Sequence, residues 1–143
     1  MMTTSTPIRV LIADDHPVVR EGLCGMLAGR ADMVVVGEAS DGEEVVQRCE
    51  ELRPDVLLLD LRMPRCDGAT AMERLRSRCP ETRVLILTTY GSDADIDRAL
   101  YAGATGYLLK DSPREELFRA IAATARGESL LAPAVAARLL RRV

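Results

Sequence analysis

Five short aliphatic runs punctuate the chain: Ile8 to Ala13, Met33 to Glu38, Val56 to Asp60, Val84 to Thr88 and Thr105 to Leu109. Four of them carry almost no polar residue, the pattern of strands buried on both faces; a sheet with one wet face would alternate apolar and polar positions. Between them lie segments that read as helices, Pro17 to Ala28, Gly42 to Leu52, Gly68 to Arg78, Asp93 to Ala102 and Pro113 to Arg126. In the last of these Leu117, Ile121 and Ala125 recur at four-residue spacing, with Phe118 and Ala122 beside them, giving one apolar stripe. Pro17 and Pro113 sit where a first turn tolerates a missing amide. Ser112 is placed to cap the last helix, with Glu115 and Glu116 in its first turn.

Strict β-α alternation with short links predicts an α/β domain, a parallel sheet with helices on both faces and right-handed crossovers. With five strands the flavodoxin-like order 2-1-3-4-5 is the leading arrangement. It puts the switch point between the first and third strands, and ligands are expected beyond the carboxyl ends of the strands there. The tail from Glu128 to Val143 reads as a further helix with Pro133 near its start and Val135, Leu139 and Leu140 as its stripe. No cap closes it, so the expectation is a helix interrupted rather than finished at Val143.

A chain of 143 residues with 48% apolar content suits one core, and a net charge of -3 gives no basic footprint for nucleic acid. The apolar runs are far shorter than a membrane span, and the start MMTTSTP lacks a signal peptide's features, so the expected location is cytoplasmic, without membrane contact. Cys24, Cys49, Cys66 and Cys79 form no C-x-x-C pair and point to buried, reduced thiols. Neither a dinucleotide fingerprint nor a P-loop follows any strand. Gly22 and Gly25 fall inside a helix, where tight packing is the expected reason for them.

The strand ends change the picture. The first ends in Asp14-Asp15, the third in Asp60, the fourth in Thr88, and the fifth in Lys110, the only lysine beside eighteen arginines. Taken singly, Asp and Thr there could be helix caps, and a lysine could be merely solvated. Together they place three carboxylates within a few ångströms, since neighbouring strands are about 4.8 Å apart. Such acids repel unless a cation intervenes, and few oxygen ligands with open positions suit Mg²⁺. A compact ammonium can then reach a phosphoryl group from the neighbouring strand, and Thr88 can donate to another of its oxygens.

These residues carry a resemblance. LIADDHPVVREGL, DVLLLDLRMPRCDG and GATGYLLKDSPREEL resemble the receiver domain of two-component response regulators, of the NarL/FixJ (LuxR-type) transcriptional subfamily. The resemblance implies a receiver over residues 7–127. Residues 128–143 would begin a linker helix toward a helix-turn-helix domain that these residues do not contain. It implies that Asp60 accepts a phosphoryl group from a histidine kinase. Asp15, Asp60 and the backbone carbonyl of Arg62 would hold Mg²⁺, with Asp14 acting through a bound water. Lys110 and Thr88 would contact the phosphoryl oxygens, and Thr88 and Tyr107 would form the switch. It further implies a homodimer on phosphorylation, DNA contact only through the further domain, and self-phosphorylation with slow self-dephosphorylation rather than turnover as an enzyme. Arg62 and Tyr90, two residues after Asp60 and Thr88, would tune the lifetime of the phosphoaspartate. His16 is expected to pack or to cap the first helix. Asp111 stands where proline is common in the wider superfamily, which leaves the Lys110-Asp111 bond open as cis or trans. The alternative function is a stand-alone receiver that signals through protein contacts.

Overall fold

The computed structural model describes residues 6–61, 63, 65–66, 68–88, 97, 101–128 and 130–131. Its strands are β1 Ile8–Ala13, β2 Met33–Ala39, β3 Val56–Leu59, β4 Arg83–Thr88, β5 Gly106–Leu109 and β6 Leu130–Leu131. Its helices are α1 Pro17–Ala28, α2 Gly42–Leu52, α3 Gly68–Arg78 and, in our numbering, α4 Arg114–Ala125. Of the helix expected over 93–102, only Asp97, Tyr101 and Ala102 are described, the first two helical.

All strand pairs are parallel and the sheet runs β2-β1-β3-β4-β5-β6. The five long runs thus take the expected order 2-1-3-4-5. Every residue of β3 is buried, as are Val10 to Ala13 of β1, which is why these strands read as unbroken aliphatic runs. By contrast β2, at the edge, is half wet with Val34 exposed, and its pairing with β1 is interrupted by a bulge between Val10 and Leu11. The helices press apolar stripes on this sheet, with Leu23 and Leu27 from α1, Val45, Val46 and Cys49 from α2, and Leu117, Phe118 and Ile121 from α4. Fully burying one such side chain stabilises the fold by about 1.5–3 kcal/mol.

Several expectations need correction. Leu130–Leu131 is a sixth strand, not the start of a linker helix: the chain turns back at Gly127 and the open edge of β5 takes up its backbone groups. Residues 132–143 lie outside the description. Ser112 does not cap α4; Pro113 holds the N-cap position and makes no side-chain bond. A Cβ built on Gly22 or Gly25 would meet nothing within 4 Å, so packing does not explain either glycine. Cys24 is half-buried while the other three cysteines are buried, and burial with nearby Cys79 and Glu50 pushes the Cys49 thiol up to about 12. No peptide bond among the described residues is cis, so Lys110-Asp111 is trans.

Candidate functional site

The switch-point rule points to the carboxyl rim of β1, β3 and β5. There two backbone bonds carry the pairing one residue past the strands: Asp14 N donates to Ala39 O and Asp60 N donates to Ala13 O, both at 3.0 Å. The two acids therefore leave the sheet side by side, and both are buried, at 2% and 6% exposure. The loop after Asp60 folds back sharply, with Gly68 N donating to Leu61 O at 3.0 Å. A Cβ on Gly68 would stand 2.8 Å from Leu61 Cα and 2.9 Å from Asp60 O, so only glycine lets α3 start this close to the phosphoacceptor candidate.

From β5, Lys110 crosses to both acids. Its Nζ donates to Asp14 Oδ2 at 2.5 Å and to Asp60 Oδ2 at 3.4 Å. Burial pulls the Asp14 carboxyl upward, but the hydrogen bond from Lys110, the amide of His16 and the lysine's charge together hold it below the ordinary carboxylate range. Burial likewise works against the ammonium, and the hydrogen bond to Asp14 and the charge of Asp60 leave Lys110 above its ordinary value. Both partners are thus charged at neutral pH.

One ammonium cannot balance three carboxylates. Ligand atoms of Asp14, Asp15, His16 and Asp60 all lie within 4.8 Å of one another. Asp15 Oδ1 is shielded from solvent and makes no hydrogen bond. A shielded carboxylate oxygen that makes no hydrogen bond and has only the His16 ring nitrogen close by, beside two more acids, fits a hard divalent cation, and these oxygens could hold one with sites left for other oxygen ligands.

His16 occupies the N-cap position of α1 but its side chain caps nothing and is exposed, against the expectation of packing or capping. Instead its Nδ1 lies 3.1 Å from Asp14 Oδ1, with which it hydrogen-bonds, and 3.0 Å from Asp15 Oδ1. Arg20 was missed as well: its Nη1 donates to Asp14 O at 2.6 Å while its Nε holds Glu38 at 3.1 Å, fixing the Asp14 backbone. Four-residue spacing from His16 was the available signal, since it returns α1 to the same rim. Tyr107 is fully buried on β5. Thr88 ends β4 opposite Leu109, with its side chain outside the description. Arg62 and Tyr90 also lie outside the described residues. Asp14, Asp15, Asp60 and Lys110 therefore come together as expected.

Against known proteins, the family described as the response regulator receiver domain matches residues 10–122. The uncharacterized transcriptional regulatory protein YxjL of Bacillus subtilis is 44% identical over 93% of this chain and 61% of its own length. The response regulator ChrA of a heme-sensing two-component system superposes with a TM-score of 0.80 at 46% identity, covering 97% of this chain and 67% of that one. RcsB, solved as two dimers bound to two parallel DNAs, gives 0.85 at 30% identity, over 96% of this chain and 70% of that one. The chain belongs to the response regulator receiver domain family, in its NarL/FixJ (LuxR) branch, whose members act in two-component systems. It spans 61% to 65% of the length of the curated relatives it matches, which are transcriptional regulators or response regulators. No described helix is long and apolar enough to cross a membrane.

Proposed function

We propose that Asp60 is the phosphoacceptor. An oxygen of Asp60 attacks the phosphorus of a kinase phosphohistidine; the P–N bond breaks, its electron pair returns to the imidazole nitrogen, and an acyl phosphate forms. Asp15 and Asp60, with the Arg62 carbonyl and with Asp14 through a bound water, would hold Mg²⁺, which when bound neutralises developing charge and orients phosphoryl oxygens. Lys110 already reaches Asp60 and would swing part of its bonding from the carboxylate to the new phosphoryl oxygen, and Thr88 would donate to another. The single observation that carries this reading is Lys110 bridging Asp14 and Asp60 beside the shielded carboxylate oxygen of Asp15.

On phosphorylation Thr88 would move toward the phosphoryl group and Tyr107 would occupy the space it leaves, remodelling the face formed by β5 and α4. Bulky Arg62 and Tyr90 would slow attack by water on the acyl phosphate. In a longer protein the domain would govern transcription from the cytoplasm through a separate DNA-binding unit, with a sensor histidine kinase as donor and a homodimer as the active form, as the DNA-bound dimers of RcsB suggest. Incubation with acetyl phosphate and Mg²⁺, read by intact mass, tests the chemistry. A base-labile adduct of one phosphoryl group on the wild type and none on Asp60→Asn is expected; an equal adduct on both would overturn the assignment.

A further inference from the structure

The exit from α4 is tightly built. Glu128 N donates to Ala123 O and Gly127 N to Thr124 O, both at 2.9 Å, the pair of bonds that closes a helix into a left-handed residue. Gly127 has φ 80°, a backbone angle that calls for glycine, and the Arg83 guanidinium lies against it, with Nη1 1.9 Å from where a Cβ would stand, so a side chain there would also have to push the arginine tip aside. Three residues on, the chain lies parallel along the outer edge of β5, with Leu130 opposite Gly106 and Leu131 opposite Tyr107. On its inner side the same strand pairs with β4, where Thr88 stands opposite Leu109. Both residues of the proposed switch thus sit in strands of one continuous ladder that ends in β6.

We infer that the outer edge of β5 is a docking surface for the chain's own β6, Leu130–Leu131, and that its occupancy is coupled to the phosphoryl state of Asp60 through Tyr107. The inference rests on the phosphoacceptor reading. In that reading phosphorylation favours the inward conformer of Tyr107. Here Tyr107 is fully buried and β6 is paired with it. Phosphorylation therefore tightens β6, and by reciprocity the pairing of β6 tightens binding of a phosphoryl analogue. A two-residue strand is the kind of marginal element whose population a modest bias can shift.

Hydrogen exchange by mass spectrometry on the 143-residue chain, with and without Mg²⁺ and beryllofluoride as the probe, tests this. Exchange of residues 127–134 should slow by at least about fivefold when the probe binds. Leu130→Pro combined with Leu131→Pro removes both amide donors of β6 while leaving α4 untouched, and should weaken beryllofluoride binding by a similar factor. Gly127→Ala should act in the same direction through the turn; the proline pair keeps the test valid if that variant unfolds. Slower exchange around Asp60 with no change, or a speeding, at 127–134 would overturn the coupling alone, as would wild-type probe affinity in the proline variant. Failure of the probe to bind at all would overturn the phosphoacceptor reading beneath it.

Discussion

At the amino rim of the sheet Arg9, Asp55 and Arg53 each have a separate partner and stand near water: Arg9 N donates to Asp55 Oδ2, Arg9 Nη1 to Arg53 O, and Arg53 Nη1 to Arg78 O. At the carboxyl rim of the same sheet the two buried acids Asp14 and Asp60 share one ammonium, and a third carboxylate, Asp15, stands beside them against the His16 ring. The first rim ends helices and loops with bonds that cost little to desolvate. The second keeps charge in a low-dielectric setting with too few partners, an arrangement that stability alone would not favour and that a cation and a phosphoryl group would complete.

The largest test of that contrast is to remove one cation from each rim. Lys110→Met removes the one ammonium that Asp14 and Asp60 share and should destabilise the cation-free protein by about 3 kcal/mol in urea unfolding. Arg9→Met, on the exposed rim, should cost less than about 1 kcal/mol. Equal losses would mean that the two rims do not differ in the way described.

Next comes the cation itself. Saturating Mg²⁺, at about a hundred times its dissociation constant, should stabilise the wild type by about 2.7 kcal/mol. Asp15→Asn should lose most of that gain. Without a cation the same variant should be more stable than wild type by about 1 kcal/mol, the Coulomb scale for two like charges roughly 4 Å apart in water. Asp55→Asn at the other rim should leave the Mg²⁺ response intact, and thermal melts with and without Mg²⁺ check all four outcomes.

How much of this was legible in the residues follows from what kind of force set each feature. Strand order and the meeting of Asp14, Asp15, Asp60 and Lys110 were legible because burial on both faces leaves an unbroken aliphatic run and each run ends in its polar residue. Where a side chain turns after that is decided by neighbours distant in sequence. His16 stands at a helix start, which suggested capping, yet two carboxylates draw its ring to the rim. Leu130 and Leu131 have an apolar stripe behind them, but an open strand edge and the glycine turn override it. Gly22 and Gly25 suggested crowding because crowding is the commoner reason for a helical glycine, and the space around them is open.

pH should separate the rims more gently. The Asp14 carboxyl is held below its ordinary value, so its contribution is complete above the unfolded carboxylate range near about 3.9 and is lost as pH falls through its lower folded value. Lys110 is raised, so its contribution is complete below about 10.4 and is lost as pH rises through its higher folded value. Between those limits the bridge is intact, and melting temperature should fall at both ends. In Asp14→Asn the acid limb should be shallower, which a series of melts at fixed ionic strength will read.

The smallest expected effect lies between the rims, in α1, which begins at His16 beside the acids and ends at Gly29 on the opposite side. Gly22 and Gly25 are exposed, and a Cβ on either would meet nothing, so alanine adds no clash and removes backbone freedom that the unfolded chain would otherwise regain. Each of Gly22→Ala and Gly25→Ala should therefore stabilise the protein by up to about 1 kcal/mol. Neither touches Asp14, Asp15 or Lys110, so the gain should be the same with and without Mg²⁺. If instead alanine at Gly22 or Gly25 altered the Mg²⁺ response, α1 would be transmitting strain between the rims, and the division between a stabilising edge and a reactive edge would have to be redrawn along the helix.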